Sequence, residues 1–297
     1  MAATHGSANA RVNASVLGLY DNLRVKSPMK GGNAISWAEF TAETTQALNN
    51  AKDSGKAIVL LTGTMSSPST NKLVAEFAEQ YGNVRHVVYD AISEEAALTA
   101  FENRYGERAL ADYNFENADI IVSFGADFLG DFHGGFEKAF VAGRKPETGS
   151  MSYHVQFESN MSLTGANADK RVPMKPSEQR LALAKLYSYV TGNAVGGNLP
   201  EGLDKAVRAA ASELKKAGSN GVVVTGIQDV NAQTVVLELN EALSSKAFDT
   251  KTTINTKQGN DKAVMQLVTD MKAGKVGALV MVGVNPMYTL PNASDFK

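Results

Sequence analysis

The chain has no cysteine among its 297 residues. That excludes disulfides, thiolate-held iron–sulfur clusters, zinc-ribbon sites and cysteine nucleophiles within it. It also lacks any apolar stretch near the ~20 residues needed to span a bilayer. The opening Met1-Ala-Ala-Thr-His-Gly-Ser has no charged-then-apolar signal pattern. An excess of charge of one sign is missing too: the net charge is −2 and no dense Lys/Arg run occurs, which argues against nucleic-acid binding. There is no Gly-x-Gly-x-x-Gly after a strand, no Gly-Lys-Ser/Thr phosphate loop and no Gly-x-Ser-x-Gly elbow. Ordinary NAD binding, nucleotide hydrolysis and hydrolase chemistry lose support accordingly. The four histidines, His5, His86, His133 and His154, include no pair at the i, i+4 spacing of a helical zinc site. His133, within Asp131-Phe-His-Gly-Gly135, is the one with ligand potential, although a solvated loop histidine is the simpler reading.

What is present is alternation. With 43% hydrophobic and 20% charged residues, the composition is that of a globular protein long enough for two domains. Strands are expected at Ala57–Gly63, Val84–Asp90, Ala118–Gly125, Ser152–Glu158, Gly221–Gly226, Thr252–Asn255 and Ala278–Gly283. Continuous apolar runs such as Ile58-Val-Leu-Leu61 and Ile120-Ile-Val122 suit parallel strands buried on both faces. Helix starts are readable between them. Ser36-Trp-Ala-Glu39 has the form of a capping box, Ser93 precedes Glu94 and Glu95, and Ser177-Glu-Gln opens a helix through about Val190. Further helices are expected over Glu201–Ala217, with Gly218 as C-cap, over Asp229–Leu243 and over Asn260–Lys272.

This order predicts an α/β fold of two Rossmann-like, doubly wound parallel-sheet units. The Gly/Asn-rich stretch Thr191–Pro200 is the natural boundary. It divides residues 36–192, a first α/β domain, from residues 200–297, a second and C-terminally truncated one. Residues 1–35 read as an extended segment, with Val16-Leu-Gly-Leu-Tyr20 packing on a neighbouring surface. Both ends read as cut, as in a piece of a longer protein.

Ligands of open α/β sheets bind beyond the carboxyl ends of the strands. Those ends are Gly63–Thr70, Gly125–Gly130, Glu158–Asp169 and Gly283–Pro286. Ser67 or Ser69 could meet an anion, or simply cap a helix with Pro68 in its first turn. Asp127 could accept hydrogen bonds from a ribose or guanine, or equally cap a helix. The sequons at Asn13, Asn160 and Asn292 are assigned no role.

Four phrases, in order along the chain, are more specific together than any one loop. They are Thr62-Gly-Thr with Ser67-Pro-Ser-Thr70, Ala118–Gly130, Thr164-Gly-Ala-Asn-Ala-Asp169 and Asn285-Pro-Met-Tyr-Thr-Leu-Pro291. The chain resembles the large subunit of molybdopterin oxidoreductases of the formate dehydrogenase/DMSO reductase-like type. Asn9–Asp21 narrows the resemblance to the molybdopterin-like, iron–sulfur subunit of bacterial alternative complex III, a quinol:electron-acceptor oxidoreductase, of which it would be a middle fragment. In catalytic members such loops face a pterin dinucleotide, and the resemblance nominates Gly63, Gly125, Asp127, Glu158, Asp169, Asn285 and Pro286 as cofactor-facing, vestigial positions.

Departures from the family pattern shape the functional expectation. Catalytic relatives read Glu-Pro-Arg where this chain has Glu158-Ser159-Asn160, and no cysteine or recognisable Asp or Ser motif is present to hold molybdenum. The resemblance therefore implies a cofactor-free scaffold without catalytic or metal-binding residues, in an electron-transport complex of the respiratory chain. Its partners would be other subunits of that membrane complex, including a cluster-bearing ferredoxin-like domain, on the outer, periplasmic face of the bacterial inner membrane. Two alternatives stay open. One is a fragment of an active oxidoreductase carrying molybdopterin guanine dinucleotide; the other is a nucleotide- or small-ligand-binding α/β module.

Overall fold

The computed structural model describes residues 10–130, 132, 135–149 and 151–296. Its strands are β1 (Met29–Lys30), β2 (Asn33–Ala34), β3 (Ala57–Thr62), β4 (Val84–Val88), β5 (Leu110–Tyr113), β6 (Ile120–Phe124), β7 (Tyr153–Glu158), β8 (Lys170–Pro173), β9 (Gly221–Thr225), β10 (Phe248–Ile254) and β11 (Val276–Val282). The α-helices are α1 (Ala10–Ala14), α2 (Trp37–Asp53), α3 (Pro68–Tyr81), α4 (Glu95–Tyr105), α5 (Glu137–Ala142), α6 (Leu163–Ala166), α7 (Gln179–Thr191), α8 (Glu201–Ala217), α9 (Val230–Ala242), α10 (Asp261–Lys272) and α11 (Pro286–Thr289).

Helix starts follow the side chains that satisfy free amides. Ser36 Oγ accepts from the Glu39 amide at 3.1 Å and Ser67 Oγ from that of Thr70 at 3.4 Å, with Pro68 in the first turn. Asp229 and Asn260 accept from the amides of Ala232 and Ala263 at 3.0 and 2.8 Å. Gly218, at φ 56°, ends α8 in a conformation that side chains resist.

The chain forms two compact units, both assembled from separated segments. One comprises Ala96–Asn255 with residues up to Val12; the other comprises Asn13–Glu95 and Thr256–Lys297. The first holds a four-stranded parallel sheet in the order β8-β7-β6-β9 and an antiparallel pair of β5 and β10. Alternate residues of β6 serve different cores. Val122 and Phe124 pack with Phe157, Leu186, Val207 and Leu214, whereas Ile121 packs with Leu98, Phe115 and Phe128 on the opposite face. The second unit holds a three-stranded parallel sheet, β11-β3-β4. There Val59 and Leu61 pack with Leu267, and Ile58 faces Leu48 and Ala51 of α2. Each such fully buried side chain is worth about 1.5–3 kcal/mol over its exposed state.

The α/β class, with parallel sheets covered by helices on both faces, is as expected, but several details differ. The division does not fall at Thr191–Pro200. Strand β9, from beyond that stretch, pairs with β6, and β11 crosses back to β3. A glycine-rich connection marks flexible chain; partner choice is set by the buried apolar faces. Strand β10 joins an antiparallel pair rather than a parallel sheet. From residue 10 onward the N-terminal segment is not extended: it forms α1, a 3-10 stretch Ser15–Tyr20 and the β1–β2 hairpin. Leu17, Leu19, Tyr20, Leu23 and Val25 are exposed on it.

Candidate functional site

In the first unit, β6 and β7 end side by side. At Gly125 the backbone turns at φ 69°, and the Gly125 amide donates to the Phe157 carbonyl at 2.8 Å. Asp127 follows. Its Oδ1 accepts from the Thr164 amide at 2.9 Å and from Thr164 Oγ1 at 2.7 Å. Thr164 Oγ1 in turn accepts from the Leu129 amide at 2.9 Å. Of the two readings of Asp127, a bond to a helix start is the one it makes, to the first turn of α6, 37 residues further along the chain.

Glu158, at the end of β7, is buried and fully engaged. Arg171 Nε donates to Oε1 at 2.5 Å, Ser162 Oγ to Oε2 at 2.6 Å, and the Ser162 amide and Gln156 Nε2 each approach at 3.3 Å. Burial pushes the Glu158 carboxyl up, but the hydrogen bonds from Ser162, Arg171 and Gln156 outweigh it, and the group titrates below its ordinary value. Ser162 Oγ also accepts from the Gly165 amide at 2.9 Å, capping α6. A methyl group on Gly165 would overlap the Glu158 carboxylate. The carboxylate thus lies directly against the α6 backbone.

Behind Glu158 a polar stripe runs back along one face of β7. Gln156 Nε2 is spent on Glu158 and on the Ala126 carbonyl at 3.3 Å, so its Oε1 accepts from His154 Nε2–H at 3.2 Å. This fixes the neutral His154 tautomer, leaving Nδ1 without a hydrogen-bond partner among the described residues. The ring is wholly buried, with the Phe128 and Phe140 centroids at 5.3 and 5.7 Å. Burial lowers the His154 pKa to about 4 against the opposing Gln156 bond, with Arg144 lowering it further.

Asp169 lies elsewhere. It forms a two-bond pair with Arg144 at 2.7 and 2.9 Å and accepts from the His154 amide at 2.7 Å, near the start of β7. The Arg144 bonds hold its carboxyl below the usual range. At ~3.3 Å per residue it sits roughly a strand's length from Glu158. The structure brings Gly125, Asp127 and Glu158 to the adjoining carboxyl ends of β6 and β7 but does not bring Asp169 there.

In the second unit, Gly63 follows β3 and precedes Thr64. The organising group is Asp90, a residue the sequence patterns did not single out. Its carboxylate accepts from Thr64 Oγ1 at 2.6 Å and from the amides of Thr64, Gln258 and Gly259 at 3.0, 3.2 and 3.0 Å. Asn285 and Pro286 start α11. The Asn285 carbonyl accepts from the amides of Tyr288 and Thr289, both at 3.0 Å, and Pro286 is buried. The Asn285 side chain makes no capping bond. In the same unit a cleft of about 310 Å³ is lined by Tyr89, Ser93, Asp261 and Thr289 with Met265 and Leu290.

His86 meets Thr62 Oγ1 at 2.9 Å, and burial lowers its pKa. His5 and His133 lie outside the described residues. Among the described residues no group of three or more His, Asp or Glu side chains is placed to hold a metal ion. Of the residues that consume the carboxylates, Arg144, Arg171 and Gln156 carry no motif, and Thr164 opens the phrase Thr164–Asp169 without its bond to Asp127 being readable there. Their roles arise from strand pairing that brings distant residues together.

No protein-family model and no curated protein matches the chain. Among solved structures, it is similar to the formyltransferase/hydrolase complex (FhcABCD) from Methylorubrum extorquens, at 16% identity and a TM-score of 0.45, over 82% of this chain and 58% of that one. It is likewise similar to acetylene hydratase from Pelobacter acetylenicus, at 14% identity and a TM-score of 0.47, over 76% of this chain and 36% of that one. The chain spans little more than half of the first and about a third of the second, and likeness at this level carries no functional argument.

Proposed function

We propose that the chain is a cofactor-free, molybdopterin-oxidoreductase-like scaffold domain of a respiratory quinol:electron-acceptor oxidoreductase of the alternative complex III type, non-catalytic by itself. The observation that carries this reading is the closure of the β6–β7 edge by the protein's own groups. Glu158 is bonded to Arg171, Ser162 and Gln156, and Asp127 to Thr164. Glu158, with both oxygens taken by internal donors, has little capacity left to orient a ligand, and Asp127 has one oxygen, Oδ1, so occupied. The side chains of Leu17, Leu19, Tyr20, Leu23 and Val25, exposed on one segment, supply apolar surface of the kind used in assembly. On this reading the partners are other subunits of the complex, including its cluster-bearing domain, at the periplasmic face of the inner membrane.

The test is metal and pterin analysis of the complete native complex. Iron without molybdenum or pterin is the expected result. Stoichiometric molybdenum with pterin would overturn the reading in favour of an active oxidoreductase.

The Tyr89–Asp261–Thr289 cleft favours a second reading, a small-ligand-binding α/β module. Guanine nucleotides that raised the melting temperature in proportion to ligand concentration would support it; an unchanged melting temperature would remove it.

A further inference from the structure

One face of β7 is a line of polar side chains where a buried strand would ordinarily carry apolar ones. Ser152, one step before β7, is 4% exposed, Tyr153 is 42% exposed and His154 is wholly buried. By the pleat, Ser152, His154, Gln156 and Glu158 share one side of the strand. Where these side chains are long, each bonds the next: Glu158 accepts from Gln156 at 3.3 Å, and Gln156 accepts from His154 Nε2–H at 3.2 Å. The line breaks at Ser152, its shortest member. There Ser152 Oγ and His154 Nδ1 are both buried, and neither has a hydrogen-bond partner among the described residues. Arg85 Nε and Ser245 Oγ share that condition, but they lie apart from each other, on β4 and after α9.

Buried polar atoms without partners are costly, so two of them on adjoining positions call for a common explanation. The nitrogens of an imidazole point away from each other across the ring. With Nε2 turned along the strand to Gln156, Nδ1 is turned back toward Ser152. In the tautomer that Gln156 fixes, Nδ1 is an acceptor, and a serine hydroxyl both donates and accepts. Same-face neighbours lie roughly 6.6 Å apart along a strand. The short serine side chain leaves part of that span open, and two hydrogen bonds of ~2.8 Å cover it. The surroundings limit what can enter. Phe128 and Phe140 pack on the His154 ring with centroids at 5.3 and 5.7 Å, and the Arg144 guanidinium lies over Phe140 at 5.2 Å. Asp169, which bonds the His154 amide, is committed to Arg144, so a cation finds no free carboxylate there.

From this pairing we infer that Ser152 and His154 form a binding site for one internal water molecule, which donates to His154 Nδ1 and bonds Ser152 Oγ. Buried waters make about three hydrogen bonds each. The Gly143 carbonyl and the Arg144 guanidinium, which bond the Ser152 amide at 3.0 Å and the Ser152 carbonyl at 2.5 Å, flank the same residue and offer the third. The water completes a line of hydrogen bonds from Ser152 to Glu158, along the whole of β7, and holds the imidazole at both nitrogens. This inference does not depend on the scaffold reading.

The experiment is a crystal structure of the 297-residue chain at a resolution that shows ordered water, with nitrogen NMR of the His154 ring in solution, beside the variant Ser152→Val. Valine puts a methyl group where the water would sit, and it suits an extended chain. The expected result for the parent is a water oxygen within hydrogen-bond distance of both atoms, with His154 neutral, protonated at Nε2 and showing the Nδ1 shift of a hydrogen-bonded acceptor. In the variant the water should be gone and the Nδ1 shift should move to that of an unbonded ring nitrogen. A serine hydroxyl bonded directly to Nδ1, with no water between, overturns the proposal. An unbonded Nδ1 in the parent overturns it too. So does a folded variant that keeps the water, which would show that Ser152 does not hold it. If the variant fails to fold, the two readouts on the parent decide alone.

Discussion

The side-chain amide of Asn240 straddles the main chain of Val223, accepting from its N–H at 2.8 Å and donating to its C=O at 2.7 Å. Both residues are buried, so a helix side chain supplies the two bonds that a neighbouring strand would have made. Leucine at this position has the same branching but leaves a buried donor and acceptor unpaired. Asn240→Leu should lower stability by about 2–4 kcal/mol, read as a drop in the urea midpoint with an unchanged slope. An unchanged midpoint would mean that the pair contributes nothing.

Glu158 and Arg171 provide the second prediction. Glu158 is buried and Arg171 is 27% exposed, so removing either partner should cost at most the about 3–5 kcal/mol of a fully buried pair. Glu158→Gln and Arg171→Met should each destabilise strongly, and the double variant should lose much less than the two effects added. A Glu158 kept for ligand chemistry behaves otherwise: its replacement is neutral or stabilising. Chemical denaturation of the three variants separates the two roles.

His154 gives a pH dependence with a defined sign. In the folded chain it titrates at about 4, against about 6.5 when unfolded. The unfolded chain therefore binds more protons between these values. The contribution is fully present above about pH 6.5 and is lost as pH falls toward 4, up to about 3 kcal/mol at 1.4 kcal/mol per unit. His154→Gln should flatten stability over that window. Glu158 and Asp169, both held low, add a further loss only where carboxylates protonate. A parent whose stability is level from pH 7 to 5 would contradict the burial argument.

Asp90 holds four donors from three residues. Asp90→Ala should cost about 2–4 kcal/mol, since several of these donors lose a buried acceptor. The local signature is faster hydrogen exchange at Gln258 and Gly259, with the core amides of β3 slowed or quickened only through global stability. Equal protection before and after substitution would show that the loop is held by other contacts.

Much of the fold was legible because it rests on local chemistry. Caps at Ser36, Asp229 and Asn260 work through bonds to residues three positions away, and buried parallel strands such as β6 announce themselves as apolar runs. Strand β8 was not legible: Lys170, Arg171 and Pro173, the residues that protect an edge, are those that read as loop. The candidate site was less legible still. Asp127 and Glu158 stood out by motif, but what they bond depends on Thr164 and Arg171, supplied by other elements. Asp169, close to Glu158 in sequence, was carried to the far end of β7 because β8 starts beside Val155.

The pairing of β3 with β11 sets Val59 against Leu279, about three-quarters of the 297-residue chain apart. During synthesis β4 follows β3 directly, but the whole of Ala96–Asn255 leaves the ribosome before β11 exists. At ~5–20 residues per second the wait is roughly ten to forty seconds. The sheet that starts with β3 is thus completed only after Ala96–Asn255 has been made, and a nascent chain must keep the apolar β3 edge from wrong partners meanwhile. Its yield in cells should depend on elongation rate and on holdase chaperones more than its equilibrium stability suggests.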